Sequence, residues 1–184
     1  MTETPKYSLL KKQNGFELRQ YAGYIQAEVD VVDRDYRSAI GKGFGVLAGY
    51  IFGNNIPNQK INMTTPVQAS RSRKLAMTAP VTVSGQDTFT VAFIMPSEET
   101  LETLPLPKDE SIRFNRVMAH QVAVTRFSGY FQQGRIDRNK QRLNQWLETQ
   151  GLETEGDFIV AGYNPPWVPG LLARNEVLIR VKAQ

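Results

Sequence analysis

A chain of 184 residues is long enough for one domain with a true core, or one domain built from two similar halves, and it buries roughly 70% of its unfolded surface. With no cysteine and one histidine, His120, it excludes disulfides, thiolate metal sites, zinc fingers, the HExxH helix and any Cys-His dyad. The net charge of +4, from 22 basic and 18 acidic residues, is a small excess for a dedicated nucleic-acid binder.

The start, Met-Thr-Glu-Thr-Pro-Lys, has no apolar run of the secretory kind, and no stretch approaches the eighteen or so apolar residues that span a bilayer, so a cytoplasmic protein without membrane insertion is expected. The first predicted element is a strand from Phe16 to Tyr21, turned at Ala22-Gly23 into a hairpin with Tyr24 to Val32. Ile25, Ala27, Val29 and Val31 alternate there with Gln26, Glu28 and Asp30, the pattern of a half-buried antiparallel strand. Asp33 then caps a helix whose apolar positions are Tyr36, Ile40, Phe44, Leu47 and Ile51, ended by Gly53-Asn54-Asn55. Strand pattern returns after Val81, and "DTFTVAFIMP" is a strand stopped by Pro96. "SEETLETLPLPKDESI", with Pro105 and Pro107, reads as a connection over about 97–109.

The plan then repeats. "IRFNRVMAHQVAVTRFSGYF" reads as two strands with Ala119-His120 near their turn. A helix follows over roughly Asp137 to Gln150, buried through Leu143, Trp146 and Leu147 and closed by Gly151. "DFIVAGYNPPW" and "NEVLIRVKA" are two more strands around a Pro-rich loop. Strand-strand-helix-strand-strand, twice, over about 14–96 and 110–184, is an α+β plan, and its eight strands could make one closed or nearly closed antiparallel sheet.

Several catalytic and binding patterns fall away. No Gly-x-Ser-x-Gly elbow is present to serve a serine triad with His120. "GFGVLA", Gly43 to Ala48, has the spacing of a dinucleotide fingerprint, but helix rather than strand precedes it and residues 60–70 hold no acid for a ribose. Gly41, Gly43, Gly45 and Gly49 still need a reason, since each costs up to about 1 kcal/mol relative to Ala in a helix. Close packing of helix on sheet is one reason; room for a flat ligand is the other. Arg135, Arg138 and Arg142 share a helical face and read as solvated rather than as a phosphate stripe. One segment, Lys60 to Val83, says nearly the same thing twice: Met-Thr-Thr-Pro-Val returns as Met-Thr-Ala-Pro-Val, with Arg71, Arg73 and Lys74 between the copies.

That doubled segment, with "GFGVLAGYIFGNNIPNQK" before it, "AFIMPSEETLETLPLP" after it and the C-terminal "AGYNPPWVPGLLARNEVLIRV", resembles the SOUL/haem-binding protein family over nearly the whole chain and in family order. The resemblance implies a distorted eight-stranded antiparallel β-barrel with two flanking helices, built from two similar ββαββ halves. It also implies non-covalent binding of haem or a related porphyrin, and a likeness to effector-binding domains that hold bulky aromatic or cationic drugs. A porphyrin has two apolar faces and two carboxylates, so its receptor needs apolar surface and cations at the rim. Met63, Val67, Leu75, Met77 and Val81 can supply the first, methionine being flexible and polarizable. Arg71, Arg73 and Lys74 can meet the carboxylates. Trp167 and Arg174, from the C-terminal string, complete the candidate ligand-binding residues. For the methionines and valines, plain core packing stands beside pocket lining as a reading.

The chain departs from the family pattern at one telling place. Some relatives carry a histidine, proposed to ligate haem iron, after the Tyr/Phe-Glu-x-Arg motif; in "FELRQY" that position is Gln20, and an amide is a poor iron ligand. No axial ligand or other metal ligand is therefore assigned, His120 being read as a partly exposed turn residue. The leading function is a non-catalytic module that carries, buffers or senses a tetrapyrrole, its partner a small planar ligand rather than nucleic acid. The alternatives are another planar aromatic ligand, or a small hydrolase in which Glu176, beside apolar surface, works as a general base through a raised pKa.

Overall fold

Asn14 and Gly15, with φ of 50° and 85°, turn the chain between strand β1 (Tyr7–Gln13) and strand β2 (Phe16–Tyr21). Positive φ at both turn residues is what a two-residue hairpin needs. The computed structural model describes residues 4–33, 35–56, 74–75, 79–85, 88–163, 169 and 173–182. The remaining elements are β3 (Tyr24–Val32), α1 (Tyr36–Ile51), β4 (Asn55–Ile56), β5 (Val81–Gly85), β6 (Thr88–Ile94), β7 (Leu106–Pro107), β8 (Arg113–Val117), β9 (His120–Phe127), α2 (Gln133–Gln150), β10 (Thr154–Gly162) and β11 (Asn175–Val181). The fold is α+β: one large antiparallel sheet and two helices.

The expected hairpins at Ala22-Gly23 and Ala119-His120 do not form. β2 pairs with β1 and β9, while β3 pairs with β6 and β8. Neither Ala22 nor Gly23 is among the residues with positive φ, so the chain does not fold back there. Instead the two strands run on past the break. One unbroken register leads from Phe16↔Thr125 to Tyr21↔His120 on β2–β9, and from Tyr24↔Val117 to Glu28↔Arg113 on β3–β8. Gly23 sits where the paired backbones come close: a Cβ there would lie 3.1 Å from the Val117 carbonyl oxygen.

Nine strands, not eight, share the sheet, in the order β1-β2-β9-β11-β10-β5-β6-β3-β8, which has β1 and β8 at its ends and does not close. β5 and β10 meet in the middle, Val83 opposite Val160. Outward from that seam the order is β6-β3-β8 on one side and β11-β9-β2 on the other. Each side takes its third strand from the opposite half of the chain.

Helix α1 is capped two residues later than expected. Asp35 is its N-cap, its carboxylate accepting the Ser38 N–H at 2.7 Å. Asp33 instead accepts the Asp35 N–H, the Ser38 hydroxyl and the Lys42 ammonium. α1 lies on β3 and β6, burying Ala39, Leu47, Tyr50 and Ile51 against Val29, Val91 and Phe93. Gly43 makes that packing possible, since a Cβ there would sit 2.5 Å from a Val91 methyl, whereas Gly41 and Gly45 face open space. Gly43 and Gly45, the glycines of the dinucleotide-like spacing, lie mid-helix, which removes the strand that a dinucleotide loop requires. α2 lies on β9 and β11, burying Ile136, Leu143, Trp146 and Leu147 with Phe16 and Val177, and Gly151 in the left-handed region ends it. The 97–109 connection packs on α1: Leu104 is buried, Tyr50 donates its hydroxyl to the Pro105 carbonyl, and β4 pairs with β7. Among the described residues no helix is long and apolar enough to cross a membrane.

Candidate functional site

Alternation gives the sheet two different faces. One face, carrying Phe16, Leu18, Val81, Val83, Val91, Val160, Val177 and Ile179, lies under the two helices. The opposite face has no helix on it and is rich in polar groups. It carries Glu17, Arg19 and Tyr21 from β2, Arg126 from β9, Glu176 and Arg180 from β11, Thr82 and Ser84 from β5, and Gln26 and Glu28 from β3.

At the β2–β9–β11 end of this open face the Arg19 and Glu176 side chains are both 0% exposed. Arg19 grips the Glu176 carboxylate with both terminal nitrogens, at 2.8 and 2.9 Å, and donates from Nε to Glu17 at 2.8 Å. Glu176 also accepts from the Tyr163 hydroxyl at 2.6 Å and from Arg174 Nη2 at 2.8 Å, with Arg126 Nε at 3.2 Å. Burial alone would raise the Glu176 pKa, but the Arg19 hydrogen bonds and charge, helped by Tyr163 and Arg174, hold it down at about 2. Tyr163 is pushed the other way, by burial and by the Glu176 charge, and stays a hydroxyl donor. A fully engaged carboxylate that stays ionised at neutral pH is a weak proton acceptor, so the raised pKa that a Glu176 base requires is not met. Five charged side chains pairing in this way are a structural knot in the sheet.

The one histidine lies nearby, at the break between β8 and β9. His120 Nδ1 donates to the Met118 carbonyl at 2.8 Å, its ring stacks on Tyr21 and meets Tyr24 edge-on, both at 5.9 Å. Burial lowers its pKa, so the ring is neutral at pH 7. At the other end of the open face a cleft of about 370 Å³ is bounded by Tyr24, Glu28, Ser84, Thr90, Glu155, Asp157 and Arg180. Glu28 there accepts from Gln26 at 2.7 Å and from Arg113 Nε at 2.8 Å. Among the described residues no group of three or more His, Asp or Glu side chains is placed to hold a metal ion.

Of the ten candidate ligand-binding residues, Met63, Val67, Arg71, Arg73, Met77 and Trp167 lie outside the described residues. Lys74 is exposed, and next to it Leu75 is buried in the core under α1, its N–H donating to the Ile51 carbonyl at 2.9 Å. Val81 packs against the same core. Leu75 and Val81 are thus brought together beneath α1. Arg174 is not with them: it is bonded to Glu176 on the open face, its guanidinium 4.3 Å from the centre of the Tyr163 ring. Gln20, on β2, is half-buried and donates to the Tyr21 carbonyl. The α2 arginines are each engaged: Arg135 with the Ser128 carbonyl, Arg138 with the Gly134 carbonyl, Arg142 over the Phe16 ring. Sequence reasoning missed the Glu17–Arg19–Glu176 knot, because Arg19 and Glu176 stand 157 residues apart. The alternation of Glu17, Arg19 and Tyr21 looks like an ordinary solvent face.

The residues fit a porphyrin in one respect and not in another. In apolar character Leu75 and Val81 suit a porphyrin face, and they belong to the packed core beneath α1. Histidine ligation there is not, since His120 is on the opposite face of the sheet, anchored through Nδ1.

Comparison with known proteins adds the following. The family model described as SOUL heme-binding protein matches residues 2–180. Heme-binding protein 1 of mouse is 29% identical over 94% of this chain and 87% of its own length. Among solved structures the EcmrR C-terminal domain has a TM-score of 0.67 at 12% identity, covering 97% of this chain and 99% of that one. A structure of SAV2435 bound to tetraphenylphosphonium has a TM-score of 0.51 at 10% identity, covering 91% and 94%. At these identities the last two likenesses are of fold alone.

Proposed function

The chain belongs to the SOUL heme-binding protein family, and on that premise we propose that it binds haem or a related tetrapyrrole without a covalent bond, mainly by apolar contact. The observation that carries this reading is the separation of apolar surface from histidine. Leu75 and Val81 lie beneath α1, at the described edges of the doubled Met-Thr-x-Pro-Val segment, and His120 is on the other side of the sheet. On this reading Met63, Val67, Met77 and Trp167 would supply further apolar contact to the ring, and Arg71, Arg73 and Lys74 would meet the ligand's carboxylates. Bound haem would supply iron redox and small-ligand chemistry; the chain's own residues hold the ring and shield it from water. The role is carriage or buffering in the cytoplasm.

The same reading treats the chain as two ββαββ halves, about 14–96 and 110–184, joined by 97–109 and wrapped into a distorted barrel. The unbroken register through β2–β9 and β3–β8 supports the wrapping, and the matching strand orders on either side of the β5–β10 seam support the duplication.

A titration of the purified protein with haem, followed at the Soret band, tests the reading, with Gln20→His and His120→Ala alongside. Wild type should saturate at one equivalent without a strong six-coordinate spectrum, and His120→Ala should bind as well. Absence of saturable binding in wild type would overturn it. A second reading rests on the acidic cleft. Glu155 and Asp157 outnumber Arg180 there, Glu28 being held by Arg113, a balance suited to an organic cation, and tetraphenylphosphonium competing with haem for the protein would favour it.

A further inference from the structure

At the point where the paired strands break, the backbones of Ala22-Gly23 and Met118-Ala119 form the rim of a second cavity, of about 520 Å³. Its walls are Tyr24, Ile25, Ile94, Met95 and Val117, with the N-terminal residues Thr4 to Lys6 along one side. Lys6 is held in place by its backbone, whose carbonyl accepts the Ala22 N–H at 3.1 Å. The cavity is thus made by the fold's most unusual feature: two strands that stay in register while their hydrogen-bonding partners on the other side change.

The charges around it are uneven. Lys6 and Arg116 line the cavity, are exposed, and take part in no ion pair among the described residues. The one acid among its lining residues, Glu99, is buried and already accepts the Thr103 hydroxyl at 2.7 Å. An apolar wall of this size with two unpaired cations at its mouth is complementary to a molecule that is apolar at one end and anionic at the other. Met95 and Met118 give the wall the adaptable, polarizable surface that suits an aromatic or aliphatic body.

We infer that this cavity is a binding site for a small amphipathic anion, with its apolar body against Tyr24, Met95 and Met118 and its carboxylate or similar group between Lys6 and Arg116. The site opens at a different place from the proposed tetrapyrrole region: it is lined by β3, β6 and the β8–β9 break and not by α1 or the doubled segment, and it meets the core that holds Leu75 and Val81 only through Ile25 and Met95.

The methionines allow a direct test. Of the five in the chain, Met95 and Met118 line this cavity, while Met63 and Met77 belong to the doubled segment. The full chain, labelled with ¹³C at the methionine methyls and assigned by single Met→Leu changes, is titrated with 1-anilinonaphthalene-8-sulfonate. The expected result is one saturating equivalent that moves the Met95 and Met118 signals and leaves Met63 and Met77 in place. The pair Lys6→Glu and Arg116→Glu should weaken binding at least tenfold with the melting temperature unchanged, and the uncharged analogue N-phenyl-1-naphthylamine should bind at least tenfold more weakly to wild type. Movement of Met63 and Met77 instead, equal affinity for the uncharged analogue, equal affinity after charge reversal, or no saturation would each overturn the assignment.

Discussion

Replacing Glu176 by glutamine keeps the shape of the side chain and removes its charge. The cost can be worked out in two ways. An ordinary glutamate titrates near 4.5 and Glu176 at about 2, with burial opposing and Arg19 imposing the shift. A gap of about two and a half pH units, at about 1.36 kcal/mol each, comes to about 3 kcal/mol of folding stability. Independently, breaking a buried ion pair by removing one partner costs about 3–5 kcal/mol, because the other charge is stranded. Here the stranded group is Arg19, left with Glu17 at 2.8 Å as its one carboxylate and with the Tyr21 hydroxyl at 3.1 Å. Because the folded pKa is depressed, the stabilisation is complete above about pH 4.5 and is lost as pH falls towards 2. Urea unfolding followed by tryptophan fluorescence should show Glu176→Gln destabilised by about 3–5 kcal/mol at pH 7. It should also show a shallower loss than wild type between pH 5 and pH 2.5. A loss under about 1 kcal/mol, or an unchanged pH slope, would refute the view of Glu176 as the hub of the knot. Arg19→Met with Glu176→Leu should recover much of the stability, since the two fully buried charges leave together and Glu17 keeps Lys12 and Arg126.

Two glycines of α1 should respond in opposite directions. Gly45→Ala, facing open space, should gain about 1 kcal/mol in chemical denaturation. Gly43→Ala should lose about 1–2 kcal/mol despite the same helix gain, because its methyl would overlap Val91. Asp35→Ala removes the N-cap bond to Ser38 and should cost about 1 kcal/mol, whereas the same change at Asp33 should leave that cap in place. For His120, burial first and the Arg180 charge as well depress the pKa below 6.5. Its ring should therefore titrate below 6.5 by NMR, and stability should fall as pH drops through 6.5, where the unfolded chain takes up the proton first.

What the sequence could convey depended on how local each signal was. α2 and its closing Gly151 were legible from helical spacing and a left-handed cap, although the helix starts at Gln133, a turn before the expected Asp137. β3 announced itself by alternation, and β6 and β9 lie in segments read as strands. β1 was missed even though Asn14-Gly15 is a strong turn signal, because all seven of its residues are exposed and a bulge after Leu9 breaks its alternation. Ala22-Gly23 was taken for a turn on composition, and only the backbone angles and the partners of β2 and β3 reveal a strand that carries on. Of the candidate site, Leu75 and Val81 come together beneath α1, while Arg174 answers to Glu176 across the sheet. That last pairing, like the Arg19–Glu176 grip, joins side chains whose neighbourhood exists only after the sheet has assembled.

The exchange of β2 and β8 has a consequence for how the molecule comes apart. β2 finds its partner in β9, and β8 finds its partner in β3, so each side of the seam is completed by chain from the far end. Loosening either side strips an outer strand from the other and exposes its ladder. Sub-global opening that leaves one side native is thereby penalised, and hydrogen exchange in β3 and β9 belongs to the same cooperative unit. The price is kinetic: consecutive strands such as β1–β2 and β5–β6 can pair early, but the ladder that completes each side must join Phe16 to Thr125, a long loop to close. Such a chain folds late and then melts as one piece.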